Sequence, residues 1–269
     1  MTTSTGRPLI GVSYWCDRGN DVKLELLDRL QSWATLVFLN PRAEHPDLEE
    51  LGLDFYHMAH WHPAALSDLK RAREAGIPTL NSYAGAHITS DRFDCYRTLR
   101  RGGVMVPEFQ YGQAETITLR PPAIVKPRSE FHSDGHDFAI HLAGSYDFPD
   151  EQLVEKYVVP HRSYKVFGIG DEVRVVRLPH DGGVPREKPV TTSLARYVGR
   201  VQKLFDLTLF ELDILVHKSI YVIDINPAVN LCGITDGTEL YEETIRANLE
   251  NNRRESRQRK NHSNVLTDV

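Results

Sequence analysis

Two apolar segments late in the chain, Leu209–Val216 and Ile220–Ile225, are separated only by His217-Lys218-Ser219, a spacing that predicts an antiparallel hairpin. Each carries an aspartate in its apolar middle: Asp213 within Leu212-Asp213-Ile214 and Asp224 within Ile223-Asp224-Ile225. An unpaired carboxylate buried in such surroundings is costly, so a fold containing this hairpin must supply both acids with a partner. Asn226 follows Asp224 by two residues and therefore points to the same side of its strand. All three side chains can face one ion. Two carboxylates and an amide oxygen suit a hard cation such as Mg²⁺ better than zinc or iron.

The beginning of the chain follows a different grammar. Leu9–Ser13 reads as a strand, and Val22, Leu26, Leu30 and Trp33 form one helical stripe. Thr35–Asn40 reads as a second strand and Asp54–His60 as a third. Pro63–Ala75 is a helix opened by proline and closed by Gly76, and Ile77–Asn81 is a further strand. Alternating strands and helices imply a parallel sheet. After Ser90, taken as a helix cap, Asp91–Arg101 is helical and ends at Gly102-Gly103; Val104–Pro107 leads out as a strand or edge.

From there the pattern is strands without long crossover helices: Ile117–Leu119, Ala123–Lys126, Phe138–Leu142 and Leu153–Val159. A hairpin of Tyr164–Ile169 with Glu172–Leu178 turns at Gly170-Asp171. Leu194, Tyr197, Val198, Val201 and Phe205 mark a helix with one apolar face, and Leu240, Tyr241, Ile245 and Leu249 a last one. The fold class is therefore α/β followed by α+β. The expected division is 1–85 for the βα domain, 86–250 for the mixed domain, and 251–269 for a charged, frayed tail.

A net charge of −5 offers no general attraction to nucleic acid or anionic lipid. Cys16, Cys95 and Cys232 are widely spaced and lack a Cys-x-x-Cys pairing, as expected of reduced thiols. The first residues show no basic stretch followed by an apolar run, and no apolar segment approaches membrane-spanning length. A cytoplasmic protein with neither nucleic acid nor membrane as partner is expected.

Lys126 ends the apolar strand Ala123-Ile124-Val125, where an ammonium can reach phosphate oxygens, and the polar segment Arg128–Gly135 suits a loop closing over a triphosphate. The backbone of Leu153–Val158 can read an adenine edge, with Glu155 and Lys156 adding side-chain contacts and Tyr157 between them. His57, His60 and His62 lack accompanying ligands at a firm metal spacing and are expected on the surface or in an acceptor pocket. The chain has no Walker-type loop, dinucleotide Gly-x-Gly-x-x-Gly turn or His-Glu-x-x-His helix.

The βα unit, the strand lysine, Glu155-Lys156-Tyr157-Val158, and Asp213 followed by Asp224-Ile225-Asn226 together resemble the ATP-grasp superfamily, over most of residues 86–250. Ser90-Asp91-Arg92, His136–Ile140, Tyr164-Lys165-Val166-Phe167 and Val222–Asn226 are similar to the inositol trisphosphate 5/6-kinase branch. The resemblance implies an ATP-grasp fold with an N-terminal pre-ATP-grasp domain, and ATP and Mg²⁺ as cofactors. It puts Arg92, Lys126, Glu155 and Val158 on ATP, Asp213, Asp224 and Asn226 on the metal, His136, Lys165 and Asn226 on the acceptor side, and Arg177 near the phosphates. The implied reaction is phosphoryl transfer to an oxygen of a small-molecule acceptor by a kinase. A carboxylate-amine ligase similar to ribosomal-protein glutamate ligases, working through an acyl phosphate, is the alternative.

Overall fold

The computed structural model describes residues 6–14, 21–131, 138–179 and 183–266. They form two compact units. The first contains residues up to Leu80, with Asn230–Cys232 and everything from Asp236 onward; the second contains Asn81–Val229 and Gly233–Thr235.

In the first unit β1 (Leu9–Ser13), α1 (Asp21–Trp33), β2 (Thr35–Leu39), β3 (Phe55–Met58) and α2 (Pro63–Glu74) follow in order, and the sheet runs β2-β1-β3 with both pairings parallel. The expected strand at Ile77–Asn81 is reduced to a single parallel bridge between Tyr56 and Thr79. His57 corrects another expectation. It is a core residue, 3% exposed, whose Nε2 lies 2.8 Å from the Tyr241 hydroxyl. His62 instead accepts from the Ala64 amide and caps α2.

Burial, and then the charge of Lys23, lower the His57 pKa from 6.5 to about 3. The unfolded chain takes up a proton on this ring near pH 6.5 and the folded chain does not. The stability contributed by neutral His57 is thus present above that pH and lost as pH falls toward about 3. Because the raised Asp213 and Glu130 carboxyls contribute the opposite slope in the same range, the His57 part is read as a difference: urea unfolding of wild type and His57→Gln is expected to diverge in pH dependence by a slope approaching about 1.4 kcal/mol per pH unit between about pH 6.5 and 5. Identical pH dependence in the two proteins would refute it.

The second unit opens with α3 (Tyr83–Thr89) and α4 (Arg92–Arg101). Asp91, not Ser90, caps α4: its carboxylate accepts from the Asp94 amide at 3.0 Å, while Ser90 ends α3 and bonds back to the His87 carbonyl. The aspartate has the extended backbone that an N-cap requires, and Ser90 is still helical. Gly85 is required by close approach, since a Cβ there would stand 1.7 Å from the Phe205 carbonyl oxygen.

Next come β4 (Phe109–Gly112), β5 (Ala123–Lys126), β6 (Ala139–His141) and β7 (Gln152–Lys156), joined antiparallel in the order β4-β7-β5-β6. The expected strand at Ile117–Leu119 is absent. The amides of Thr118 and Leu119 are satisfied by the side-chain oxygen of Gln110, which replaces a strand partner.

The remaining strands, β8 (Arg162–Ile169), β9 (Glu172–Leu178), β10 (Arg186–Lys188), β11 (Leu209–Val216) and β12 (Ile220–Asn226), make an antiparallel sheet ordered β10-β9-β8-β11-β12. Gly170 takes a φ of 58° at the first position of the β8–β9 turn, where a two-residue hairpin favours glycine. The helix α5 (Thr192–Phe205) buries Leu194, Val198, Val201 and Phe205 in a core shared with Val166, Val175, Leu212, Ile214, Val222 and Ile225. That core occupies one face of the sheet, and the other carries Lys165, Glu211 and Asp213 among buried apolar residues such as Phe167, Val176 and Leu209.

Asn81 ties this sheet together. Its amide nitrogen donates to the carbonyls of Leu209 (2.7 Å) and Pro227 (2.8 Å), and its oxygen accepts from the amides of Thr208 (2.8 Å) and Leu209 (2.9 Å). The start of β11 and the exit from β12 are thereby held by one buried side chain. The last helix, α6 (Gly237–Leu266), belongs to the first unit and runs well past Leu249, into the segment expected to fray. Pairing of Glu250 with Arg254 at i, i+4 supports part of this extension.

Candidate nucleotide and metal site

The hairpin of β11 and β12 places Asp213 directly opposite Asp224, and Lys165 of β8 opposite Asp213. Paired residues share a face, so Lys165, Asp213 and Asp224 form a row across three strands. By alternation, Glu211 and Asn226, themselves opposite each other, lie on the same face.

A register shift after Asp213 makes this possible. Ile214 pairs with Val222, leaving Ile223 as the extra residue of a bulge. Without it Val222 and Asp224 would face the same way. With it Val222 is fully buried in the core while Asp224 turns to the opposite face.

The row gathers several acids around one ammonium. Burial raises the Asp213 pKa to about 6, with Lys165 opposing and Asp224 and Glu211 reinforcing the rise. Glu130, which follows the β5 exit, contacts Asp224 and is pushed up to about 8 by burial and by that neighbour, against the charges of Arg92 and Lys126. Both acids are less comfortable ionised than in water, and a divalent cation would relieve them. Lys165 bonds Glu211 and stands 3.2 Å from Asp213; burial disfavours its charge, but the two acids outweigh burial and raise its pKa.

Asp213, Asp224 and Asn226 fit magnesium as hard oxygen donors that retain partial access to solvent. Among the described residues no three His, Cys, Asp or Glu side chains converge as a ready-made cage.

On the four-stranded sheet Glu155 is 1% exposed, and both its oxygens are committed: one to Lys126 at 3.0 Å, the other to the Tyr96 hydroxyl. The carboxylate thus fixes the Lys126 ammonium. The Tyr96 hydroxyl also meets the carbonyl of Ile223 at 2.8 Å, the residue that the bulge releases from strand pairing. One phenol thereby connects the Lys126–Glu155 pair with the strand carrying Asp224.

Arg92 is equally occupied. It donates to the carbonyls of Pro127 (2.8 Å) and Ser129 (3.1 Å), and pairs with Glu130 at 2.7 Å. In this arrangement it organises residues 127–130.

The structure brings Arg92, Lys126, Glu155, Lys165, Asp213, Asp224 and Asn226 into this one unit around the two sheets. Lys156 points to the opposite face from Glu155, with its ammonium on the Arg120 carbonyl. The amides of Lys156 and Tyr157 donate to the carbonyls of Glu108 and Pro122 and so are already used within the chain. Arg177 is exposed and pairs with Tyr164, which puts it on the face opposite Lys165; Arg174, in register with Phe167, lies on the lysine's own face. His136 lies outside the described residues.

Tyr96, Glu130 and Glu211 escape a reading of motifs. Tyr96 follows Arg92 by four on α4, and Glu211 precedes Asp213 by two on β11, so periodicity would have found both. Glu130 sits in irregular chain with no periodic signal.

A mixed chain with these sheets, and with a strand lysine and paired carboxylates at these places, has the ATP-grasp fold. D-alanine–D-alanine ligase from Bacillus anthracis matches 93% of this chain over 100% of its own, at 15% identity, with a TM-score of 0.65, or 0.69 for its complex with ATP. A RimK domain ATP-grasp protein from Sphaerobacter thermophilus matches at 13% identity and a TM-score of 0.71, covering 87% of this chain and 98% of that one. N5-carboxyaminoimidazole ribonucleotide synthetase from Thermotoga maritima gives 17% identity and 0.68, over 90% of this chain and 76% of that one. No protein-family model and no curated protein sequence matches the chain.

Proposed function

We propose that the chain is a MgATP-dependent enzyme that activates a small carboxylic acid and joins it to an amine. The observation that carries this reading is the row Lys165, Asp213, Asp224, completed by Asn226 and facing away from the core. Asp213, Asp224 and Asn226 would hold magnesium, and Lys165 would neutralise charge on a moving phosphoryl group, with no protein nucleophile required. Lys126, fixed by Glu155, supplies a second point charge. Magnesium, when bound, would screen the triphosphate. In the proposed reaction a carboxylate oxygen attacks the γ-phosphorus and ADP leaves; the amine then attacks the acyl carbon of the acyl phosphate and phosphate leaves.

The ligase is preferred here to the kinase implied by the sequence resemblance. Arg177 lies on the opposite sheet face from Lys165, and the similar solved structures include a ligase and a synthetase. Among the described residues no helix is long and apolar enough to cross a membrane.

The decisive assay supplies MgATP with pooled carboxylic acids, with and without pooled amines. ADP, phosphate and a condensed mass are expected only when both pools are present. ATP-dependent phosphorylation of a hydroxyl compound with neither pool present would overturn the ligase and restore the kinase.

A further inference from the structure

Beside Asp213 the chain supplies a cation of its own. Lys165 Nζ lies 3.2 Å from Asp213 Oδ1 and also bonds Glu211 Oε1, so two carboxylates share one ammonium. Glu211 is only 4% exposed, and removing its counter-charge would leave an acid stranded in low dielectric. A metal ion at Asp213 and Asp224 would stand beside this ammonium and compete with it for the Asp213 carboxylate. A lysine engaged by two acids is also poorly placed to meet an anion.

We propose that Lys165 is a displaceable counter-cation. A divalent metal entering at Asp213 and Asp224 competes with the ammonium and releases it from Asp213, while Glu211 acts as a positioning residue that keeps the lysine within reach. Metal loading and availability of Lys165 to an anionic substrate are then one event. The inference rests on the magnesium part of the proposed function and is independent of which acceptor is used.

The test is binding of Mn²⁺ alone to the full chain, followed by electron paramagnetic resonance without nucleotide. Lys165→Met is expected to bind Mn²⁺ about tenfold more tightly than wild type or better, because a competing positive charge has gone. Lys165→Arg, which keeps the charge, should stay near wild type, and adding Glu211→Gln to Lys165→Met should remove much of the gain. A lysine that merely supports the sheet would leave Mn²⁺ affinity unchanged or weakened in Lys165→Met, and that result overturns the proposal.

Wild-type protein gives a second reading that does not depend on a variant folding. Acetylation of Lys165 by an N-hydroxysuccinimide ester, followed by peptide mass spectrometry, should speed up when Mn²⁺ is added; an unchanged rate counts against displacement. Tighter Mn²⁺ binding by Lys165→Met in a protein that never condenses an acid with an amine would sink the ligase reading while upholding this one.

Discussion

Asp224→Asn is expected to lower ATP turnover roughly a hundredfold or more, since an amide cannot replace a carboxylate as an anionic ligand to magnesium. The same change should leave thermal stability unchanged or raise it. Asp224 is among the charges that push up both Asp213 and Glu130, so its neutralisation relieves repulsion among buried acids. A fall in activity without a fall in stability separates a functional carboxylate from one that holds the sheet together. Coupled measurement of ADP release and of the melting temperature checks both halves, and undiminished turnover would remove Asp224 from the site.

Asn81→Ala should have the largest effect on stability, a loss of roughly 3–5 kcal/mol in denaturant unfolding. The buried amide donates twice and accepts twice, and its truncation leaves the Leu209 and Pro227 carbonyls and the Thr208 and Leu209 amides without those partners. Asn81→Asp preserves the shape but sets a carboxylate against two carbonyl oxygens, so it should rescue little. A cost below about 1 kcal/mol would mean that water replaces the side chain without penalty. Because Pro227 directly follows Asn226, both variants should also weaken metal binding.

Much of this organisation is legible from residue patterns because it depends on local periodicity. The βα grammar before Leu80 and the Gly170-Asp171 hairpin follow from alternation and turn length. What escapes is set by tertiary geometry. Strict alternation would have pointed Val222 and Asp224 the same way, and only the bulge at Ile223 separates them. His57 looks polar in sequence but finds Tyr241, far along the chain, as a buried partner. Arg92 and Glu155 are suitable as ligand contacts by residue type, yet the structure commits them to Glu130 and Lys126. Each is already paired within the chain.

The Tyr96 hydroxyl sets a spacing. Because that one oxygen touches both Glu155 and the Ile223 carbonyl, the Lys126–Glu155 pair and the strand carrying Asp224 are held to either side of a single phenol oxygen. Parting the two sheets at this point would strip a buried carboxylate of a partner before any ligand could enter. On the proposed function, the spacing between the lysine and the metal-binding acid would be preset in the unliganded chain by one side chain that need never touch the nucleotide.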